Sequence, residues 1–578
     1  MSWNSHTGQK GGMASLILAG TLLSGYTCQA ISAQDPTNSL KWQNAPVFND
    51  AMLLTNREQA NRFLRRASFG ATLEEIDALV GHSASAWLAH EMGKESRGIL
   101  PDAIEQVNSG KRYDLRYENA AVWDQYITAD DQLRQRMHFA LSQILVVSNY
   151  KKAMKPLELA YYSDLLSKHA LGNYKDLIHD ITFSPAMAKY LTYLQNKKGD
   201  PRTGRMPDEN YARELLQLFT LGLHELNMDG SVVTDADDKP VPIYSNEDIV
   251  GLARVFTGFS LAGDRFERSR REDAYNTPLQ LYPEQHSTLE KSFLGLTIPE
   301  NTGAQESVDM ALDHILSHPN LAPFVAKQLI QRFTQSDPEP AYIERVARAF
   351  DSGSYTSQDN ILFGSGERGD LQATIAAILL DKQFFDDIEP AVSEGKVREP
   401  VLRFVHFARA FSLSPIKTIT EAKLKNNPES TTRLSQGPFR APSVFNFYRP
   451  GFLAPGSLTA REGIAAPEFQ IVNESYVVGY ANTMLDFVWD RTTHASQPAS
   501  FTPDYSALTE VADEPDAVAE HLNELLFAGE MTESTRATIL DALTATRITA
   551  RNADTDRLTR ARLAVFIAVT APEFAIEK

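Results

Sequence analysis

The chain has a single cysteine, Cys28, in 578 residues. No intrachain disulfide and no thiolate metal cluster can be built from it. Such near-absence of thiols suits an oxidising compartment. Basic residues are also in deficit: 56 Lys and Arg stand against 74 Asp and Glu, a formal net charge of −18. Neutralising phosphates needs a basic surface, so no nucleic-acid partner is expected. Beyond the N-terminal stretch no run of eighteen apolar residues occurs, so no membrane-spanning segment is expected there. G-x-S-x-G is missing, which argues against an α/β-hydrolase. H-E-x-x-H is missing too. His314 and His318 have zinc-holding spacing, but Pro319 follows at once, and the pair reads as the end of a helix.

A hydrophobic content of 43% is ample for a buried core, and the length exceeds what one core usually serves. Near the start, Lys10 precedes the apolar stretch MASLILAGTLL, followed by SGYTCQAISAQDP. A short basic region, an apolar core and small residues are the pattern of a secretory signal, assigned to 1–30 with cleavage after Ala30 or Ala33. Export to the periplasm or extracellular space is the expectation. A lipoprotein reading would acylate Cys28, but Gly25-Tyr26-Thr27 fits it poorly. A buried N-terminal helix is weakened by Gly20 and Gly25.

Residues 31–55 read as a polar, proline-bearing linker. A helical main domain is expected over 56–490 and a helical C-terminal region over 491–578. Thr72 with Glu75 forms a capping box that opens a helix stopped at Gly81. Leu133, Met137, Ala140, Leu141 and Ile144 recur at helical spacing. A small β-hairpin is predicted at about 229–244, where Val232-Val233-Thr234 and Val241-Pro242-Ile243 flank an Asp-rich turn. Residues 261–300 read as irregular. The class is mainly α, a multi-helix globular domain with a small β-hairpin insert and a helical C-terminal region.

The stretch PDENYARELLQLFTL (207–221) carries the densest polar pattern. At one hundred degrees per residue, Glu209, Asn210, Arg213, Glu214, Gln217 and Thr220 share an arc of about 140 degrees. Leucines and aromatics fill the other side. Asp208 and Glu209 suit the positive end of the helix dipole, and Glu209 to Arg213 is an i,i+4 ion pair in the better orientation. A solvated face accounts for all of this; so does a site lined by acids.

In YSNEDIVGLARVFTGF (244–259), Ser245 and Asp248 form a capping-box variant. Glu247, Gly251, Arg254 and Gly258 share one side. Two glycines there admit another backbone or a ligand; a close helix–helix contact is the simpler account. His286, in PEQHSTLEK, is either an exposed surface histidine or a general base or single metal ligand. GSGERG (364–369) matches a dinucleotide fingerprint but lacks the strand before it, so a loop entering a helix at Asp370 explains it. SEGK (393–396) lacks the companion motifs of an S-x-x-K enzyme. The Asp-rich turn lacks the glycine and terminal glutamate of a calcium loop.

In order along the chain, RFLRRASFGAT (62–72), HALGNYKDL (169–177), SPAMAKYL (184–191), ENYARELLQLFTLG (209–222), YSNEDIVGLARVFTGF (244–259), GDLQATIAAILLD (369–381), PSVFNFYRPGF (442–452) and PEFQI (467–471) resemble the bacterial domain of unknown function 1800 family. The resemblance spans about residues 55 to 575. It implies a largely helical, commonly exported protein, often encoded beside a companion of domain of unknown function 1501 type, which is similar to alkaline phosphatases and sulfatases. It supplies no established reaction and leaves any cofactor unknown. The family pattern includes Glu209, Asn210, Arg213, Glu214, Asp248, Arg254 and the loop histidine matched by His286. Many members have Trp-His-Asn-His where Leu141-Ser142-Gln143-Ile144 stand here, and Asp where Ser287 stands; a metal site on those residues is not expected in this chain.

Two functions follow as expectations. One is a binding or assembly partner of the sulfatase-like companion, with the buried polar residues structural. The other is an extracytoplasmic hydrolase or transferase acting on glycans. There Glu209, Glu214 and His286 would do the acid–base work, and Asn210, Arg213, Asp248 and Arg254 would bind substrate.

Overall fold

The computed structural model describes residues 52–577, apart from 110–115, 152–153, 386–394, 414–432 and 490–502. The expected signal at 1–30, Cys28, nearly all of the linker, and Ser393 and Glu394 of SEGK lie outside the described residues.

Helices begin where the sequence supplies caps. Thr72 accepts from the Glu75 amide while Glu75 accepts from the Thr72 amide, and the helix Leu73–Leu79 follows. Asp370 accepts from Ala373 and opens Leu371–Leu379 after GSGERG, in which Gly364, Gly366 and Gly369 all take positive φ. The helix Ala304–Ser317 ends at His318, as the Pro319 stop predicts.

Three helices are buried almost all round: Gln132–Ile144, Leu371–Leu379 and Pro400–Ala410. Such helices belong in the centre of a core. Around Gln132–Ile144 pack Arg57–Ala67, Ala84–Met92, Arg116–Thr128, Pro156–His169 and Leu321–Phe333. The C-terminal helices Glu474–Val488, Pro515–Leu522, Glu533–Ala545 and Ala553–Thr570 pack on one another. Through the turn Asn523–Phe527 they also reach Arg57–Ala67 and Pro400–Ala410. All described residues fall in one compact unit.

Among the described residues, strands occur only as five antiparallel pairs of two or three residues. One pair, Lys396–Val397 with Ile576–Glu577, returns the end of the chain to the core. Glu577 there lies 3.3 Å from Arg65 and 3.6 Å from Arg398. The insert at 223–243 folds into three short segments, each bridged to the other two, at His224↔Pro242, Leu226↔Val232 and Thr234↔Pro240. Its Asp-rich tip closes on itself, with Asp235 accepting from the Asp237 and Lys239 amides.

The region 261–300 is more regular than expected. Lys291–Phe293 pairs with Leu296–Ile298 through a two-residue turn, Leu294-Gly295, in which both residues take positive φ. That is the hairpin geometry matched to strand twist. The first turn position holds Leu rather than Asn or Asp, so the usual turn signal is absent.

Candidate functional site

The NYARE segment forms a short α-helix, Asn210–Glu214, and the chain then widens into a π-turn, Leu215–Thr220. Thr220 Oγ1 donates to the Leu215 carbonyl at 2.5 Å, and the Leu221 and Gly222 amides both reach Leu216. Gly222, at φ +84°, ends the run. Single π-turns inside helices are frequent at functional sites. The widening also breaks the helical-wheel arc: Thr220, expected on the polar side, is fully buried.

Glu209 and Arg213 form the expected ion pair at 3.2 Å, each side chain about one-third exposed or more. Asn210 is exposed; its amide donates to Asp208, which also accepts from Thr192. Glu214 sits at the edge of the polar arc, close enough to Tyr190 and Tyr244 to act on both electrostatically, and is 94% buried as a residue. Its Oε2 has no hydrogen-bond partner among the described residues. Burial pushes its carboxyl up, and the Arg213 charge offsets only part of that. The Tyr244 hydroxyl is likewise buried and unpartnered. Burial, and then the Glu214 charge, push Tyr244 up to about 12.

The helix Asn246–Ala253 packs against Asn210–Glu214 on one side and the strand Lys291–Phe293 on the other. Asp248 caps that helix through Ser245 and also accepts the Leu294 amide at 2.7 Å, fastening the hairpin. Arg254 donates to the Glu290 carbonyl at 2.7 Å. A Cβ on Gly251 would overlap the Ser292 carbonyl oxygen, and one on Gly258 would come within 2.9 Å of the Tyr282 carbonyl oxygen and 3.1 Å of the His286 amide. The glycines do admit a close backbone, but it belongs to the hairpin and the histidine loop, not to a second helix.

His286 is 3% exposed, not a surface histidine. The Tyr282 amide donates to the Gly258 carbonyl and the Ser287 amide to Thr257 Oγ1, which folds the loop over the glycine. His286 Nδ1 lies 3.0 Å from the Thr257 carbonyl, so Nδ1 carries the proton and Nε2 is a lone pair. That Nε2 is buried without a partner. Burial pushes the ring down to about 4, helped by Lys291 and Lys198. Lys291 is fully buried and lowered in turn by burial and by Arg254.

The fold therefore brings the three blocks 209–214, 248–254 and 286–291 side by side. Among the described residues, though, no hydrogen bond or ion pair joins the Glu209–Arg213–Glu214 group to the Arg254–Lys291–His286 group. None of the seven residues is among those lining a cavity of about 990 Å³ between the helices Pro156–His169 and Tyr174–Thr182. No group of three or more His, Cys, Asp or Glu among the described residues is placed to hold a metal ion.

Polar groups from distant parts of the chain do converge inside the body, at a place that sequence reasoning missed. Glu399 Oε1 accepts from Tyr448 at 2.6 Å, Gln143 at 2.8 Å and Gln436 at 2.9 Å. Lys396 binds Glu468 at 2.5 Å and the Gln331 carbonyl at 2.8 Å, and lies 3.9 Å from Glu399 Oε2. Ser336 completes Glu468. Burial alone would raise Glu399; Lys396, Tyr448 and Arg136 outweigh it and hold the carboxyl down. The only clue in the sequence was that PSVFNFYRPGF and PEFQI carry Tyr448 and Glu468, and that Gln143 stands in the family's histidine run.

The family model described as protein of unknown function (DUF1800) matches residues 62–576, and the chain belongs to that family. No curated protein and no solved structure matches it.

Proposed function

We propose that this DUF1800 protein is exported to the periplasm or cell exterior and works there by binding, as an assembly partner of the sulfatase- or phosphatase-like companion of domain of unknown function 1501 type. One observation carries the reading. Fourteen large hydrophobic side chains are exposed among the described residues, and six of them fall within 445–478: Phe445, Leu453, Leu458, Phe469, Val477 and Val478. Scattered exposed apolar residues need no explanation, whereas six in one stretch of the sequence support an interaction surface along it.

The segment is held in shape rather than loose. The Arg449 amide donates to Gln470, the Ala466 amide to the Phe452 carbonyl and the Ala465 amide to Asp337. Arg449 lies 5.3 Å over the Phe445 ring. Beneath it, Glu468 and Tyr448 anchor the same loop to the inner cluster. A rigid apolar surface spends little ordering entropy on binding. The test is co-elution of the full chain with its companion on a sizing column. The wild type is expected to form one complex peak, and Leu458→Asp with Val478→Asp to elute apart from the companion with unchanged thermal stability. Co-elution of the double variant would remove the surface from the account.

A second reading is favoured by a different observation: Glu214 Oε2 and His286 Nε2 are buried and unpartnered. A carboxyl pushed up and a neutral imidazole are the states that a general acid and a general base require. In this reading the chain is an extracytoplasmic hydrolase or transferase on glycans, with Glu209, Arg213 and Arg254 beside the reacting groups. An activity screen against a glycan panel separates the two. Turnover abolished by Glu214→Gln establishes the enzyme, and absence of turnover across the panel leaves the binding reading.

A further inference from the structure

Residues 574–577 are held to the body much as a bound peptide would be, by polar groups that converge on them from two distant parts of the chain. The helix Ala553–Thr570 ends before Pro572, and a short turn, Glu573–Ala575, leads into the strand Ile576–Glu577. Phe574 is buried, its ring stacked 5.4 Å from that of His406, while Ile576 is 38% exposed. The backbone carbonyls are answered one by one. Arg65 Nη2 donates to Ile576 at 3.0 Å, the Arg398 amide to Ala575 at 2.7 Å and Arg398 Nη1 to Phe574 at 3.3 Å. The strand itself pairs with Lys396–Val397.

Charge makes this seat specific. Arg65, Arg398 and Glu577 are all buried, and the two guanidinium groups share the one carboxylate, at 3.3 and 3.6 Å. Burial pushes Arg398 down to about 9, so it still carries its charge at neutral pH. Removing the carboxylate would strand two buried cations. The segment that receives the strand is also the one that builds the Glu399 cluster. Glu577 is in register with Lys396, and Lys396 holds Glu468 at 2.5 Å. Three residues on, Glu399 accepts from Tyr448 at 2.6 Å. Tyr448 and Glu468 are the inner anchors of the 445–478 surface. A continuous series of bonded contacts therefore runs from Glu577 through 396–399 to that surface, and such a series can couple two places in a fold.

We propose that residues 574–577 form a strap that, when seated on Arg65 and 396–398, fixes the 445–478 surface in its binding shape, and that loosens this surface when it lifts. The strap is a small unit. Two paired residues, one buried ring and one carboxylate hold it, whereas the helix Ala553–Thr570 before it packs separately on Glu474–Val488, Pro515–Leu522 and Glu533–Ala545. It can therefore open locally, at less than the cost of unfolding the body, with those helices in place. Lifting it removes the backing from Lys396 and Glu399, and with it the fixed position of Glu468 and Tyr448. The effect on partner binding rests on the assembly reading above; the mechanical coupling does not.

Hydrogen exchange of the full chain, wild type against Glu577→Gln, tests the coupling without the companion. The variant keeps the size of the side chain and removes its charge. Amides of 396–399 and of 449–472 should exchange at least tenfold faster, with the hairpin at 291–298 unchanged. Glu577→Asp keeps the charge and should fall between the two; it carries the test if Glu577→Gln does not fold. Ile576→Ala, at the exposed position of the strap, should exchange as the wild type does. Companion affinity is read separately and should fall at least threefold in Glu577→Gln. If the wild type does not bind the companion, the assembly reading fails and exchange alone decides the strap. Unchanged exchange at 449–472, equal acceleration along the whole chain, or a companion affinity that the variant leaves intact would each overturn the proposal.

Discussion

Two regions bring charged side chains into the interior, and they finish them differently. Around Glu399 the network is largely closed: three donors reach Oε1, Lys396 stands 3.9 Å from Oε2, which itself makes no hydrogen bond, and Glu468 is held by that lysine and by Ser336. Around Glu214 and His286 it is open: each brings one polar atom inside and leaves it without a partner. Closed networks specify a core, while open ones cost desolvation and persist where something else offsets it. The comparison teaches that convergence of distant charges does not by itself locate function. An unpartnered buried atom is no sharper a guide by itself, since Glu399 Oε2 is another; the exposed apolar side chains at 445–478 carry more.

Breaking the closed network should have the largest effect. Lys396→Ala strands two buried carboxylates, and a loss of about 3–5 kcal/mol is expected in urea denaturation. The open region answers to pH instead. His286 titrates near 4 in the fold and at about 6.5 in the unfolded chain, so the unfolded state takes up the proton first. Its stability contribution is complete above pH 6.5 and is lost as pH falls from 6.5 towards 4. His286→Gln should therefore flatten that descent by up to about 1.4 kcal/mol per pH unit. Buried His138, pushed down to about 3, and His406 act in the same direction, so some slope should remain. Urea midpoints between pH 4.5 and 7.5 for both proteins decide it.

Glu214→Gln sharpens the contrast from the other side. An acid pushed up by burial opposes folding where it is ionised, so its removal should change stability by less than about 1 kcal/mol at pH 7.5, in the stabilising direction. A loss comparable to Lys396→Ala would mean that Glu214 belongs to a closed network after all. Smallest of all is Arg213→Ala. An i,i+4 pair this exposed is worth about 0.5 kcal/mol, and the loss should shrink in 0.5 M salt.

Much of the local structure was legible because its causes are local. Thr72 with Glu75, Ser245 with Asp248, and the stop at Pro319 each involve neighbours within a turn, and each forms as the spacing dictates. The mainly α class follows from the same signals. The π-turn at 215–220 was not legible, since a 3.6-residue period assumes the helix that it replaces. Nor was the burial of His286, which depends on Gly258 accepting the backbone of a loop 28 residues later. The Glu399 cluster was least legible: Gln143 and Glu399 are 256 residues apart, and no period or motif links them. Asp248 and Arg254 were readable as polar positions, but their task of holding the 291–298 hairpin appears only once that hairpin exists.

The proposed binding role turns on whether the exposed apolar side chains at 445–478 meet the companion. Titration calorimetry of the companion into wild type, Val478→Asp and Glu214→Gln, in one buffer, tests it most directly. The expected result is a loss of at least tenfold in affinity for Val478→Asp and none for Glu214→Gln. Affinity that survives Val478→Asp but falls with Glu214→Gln would contradict it and place the working surface at the NYARE block.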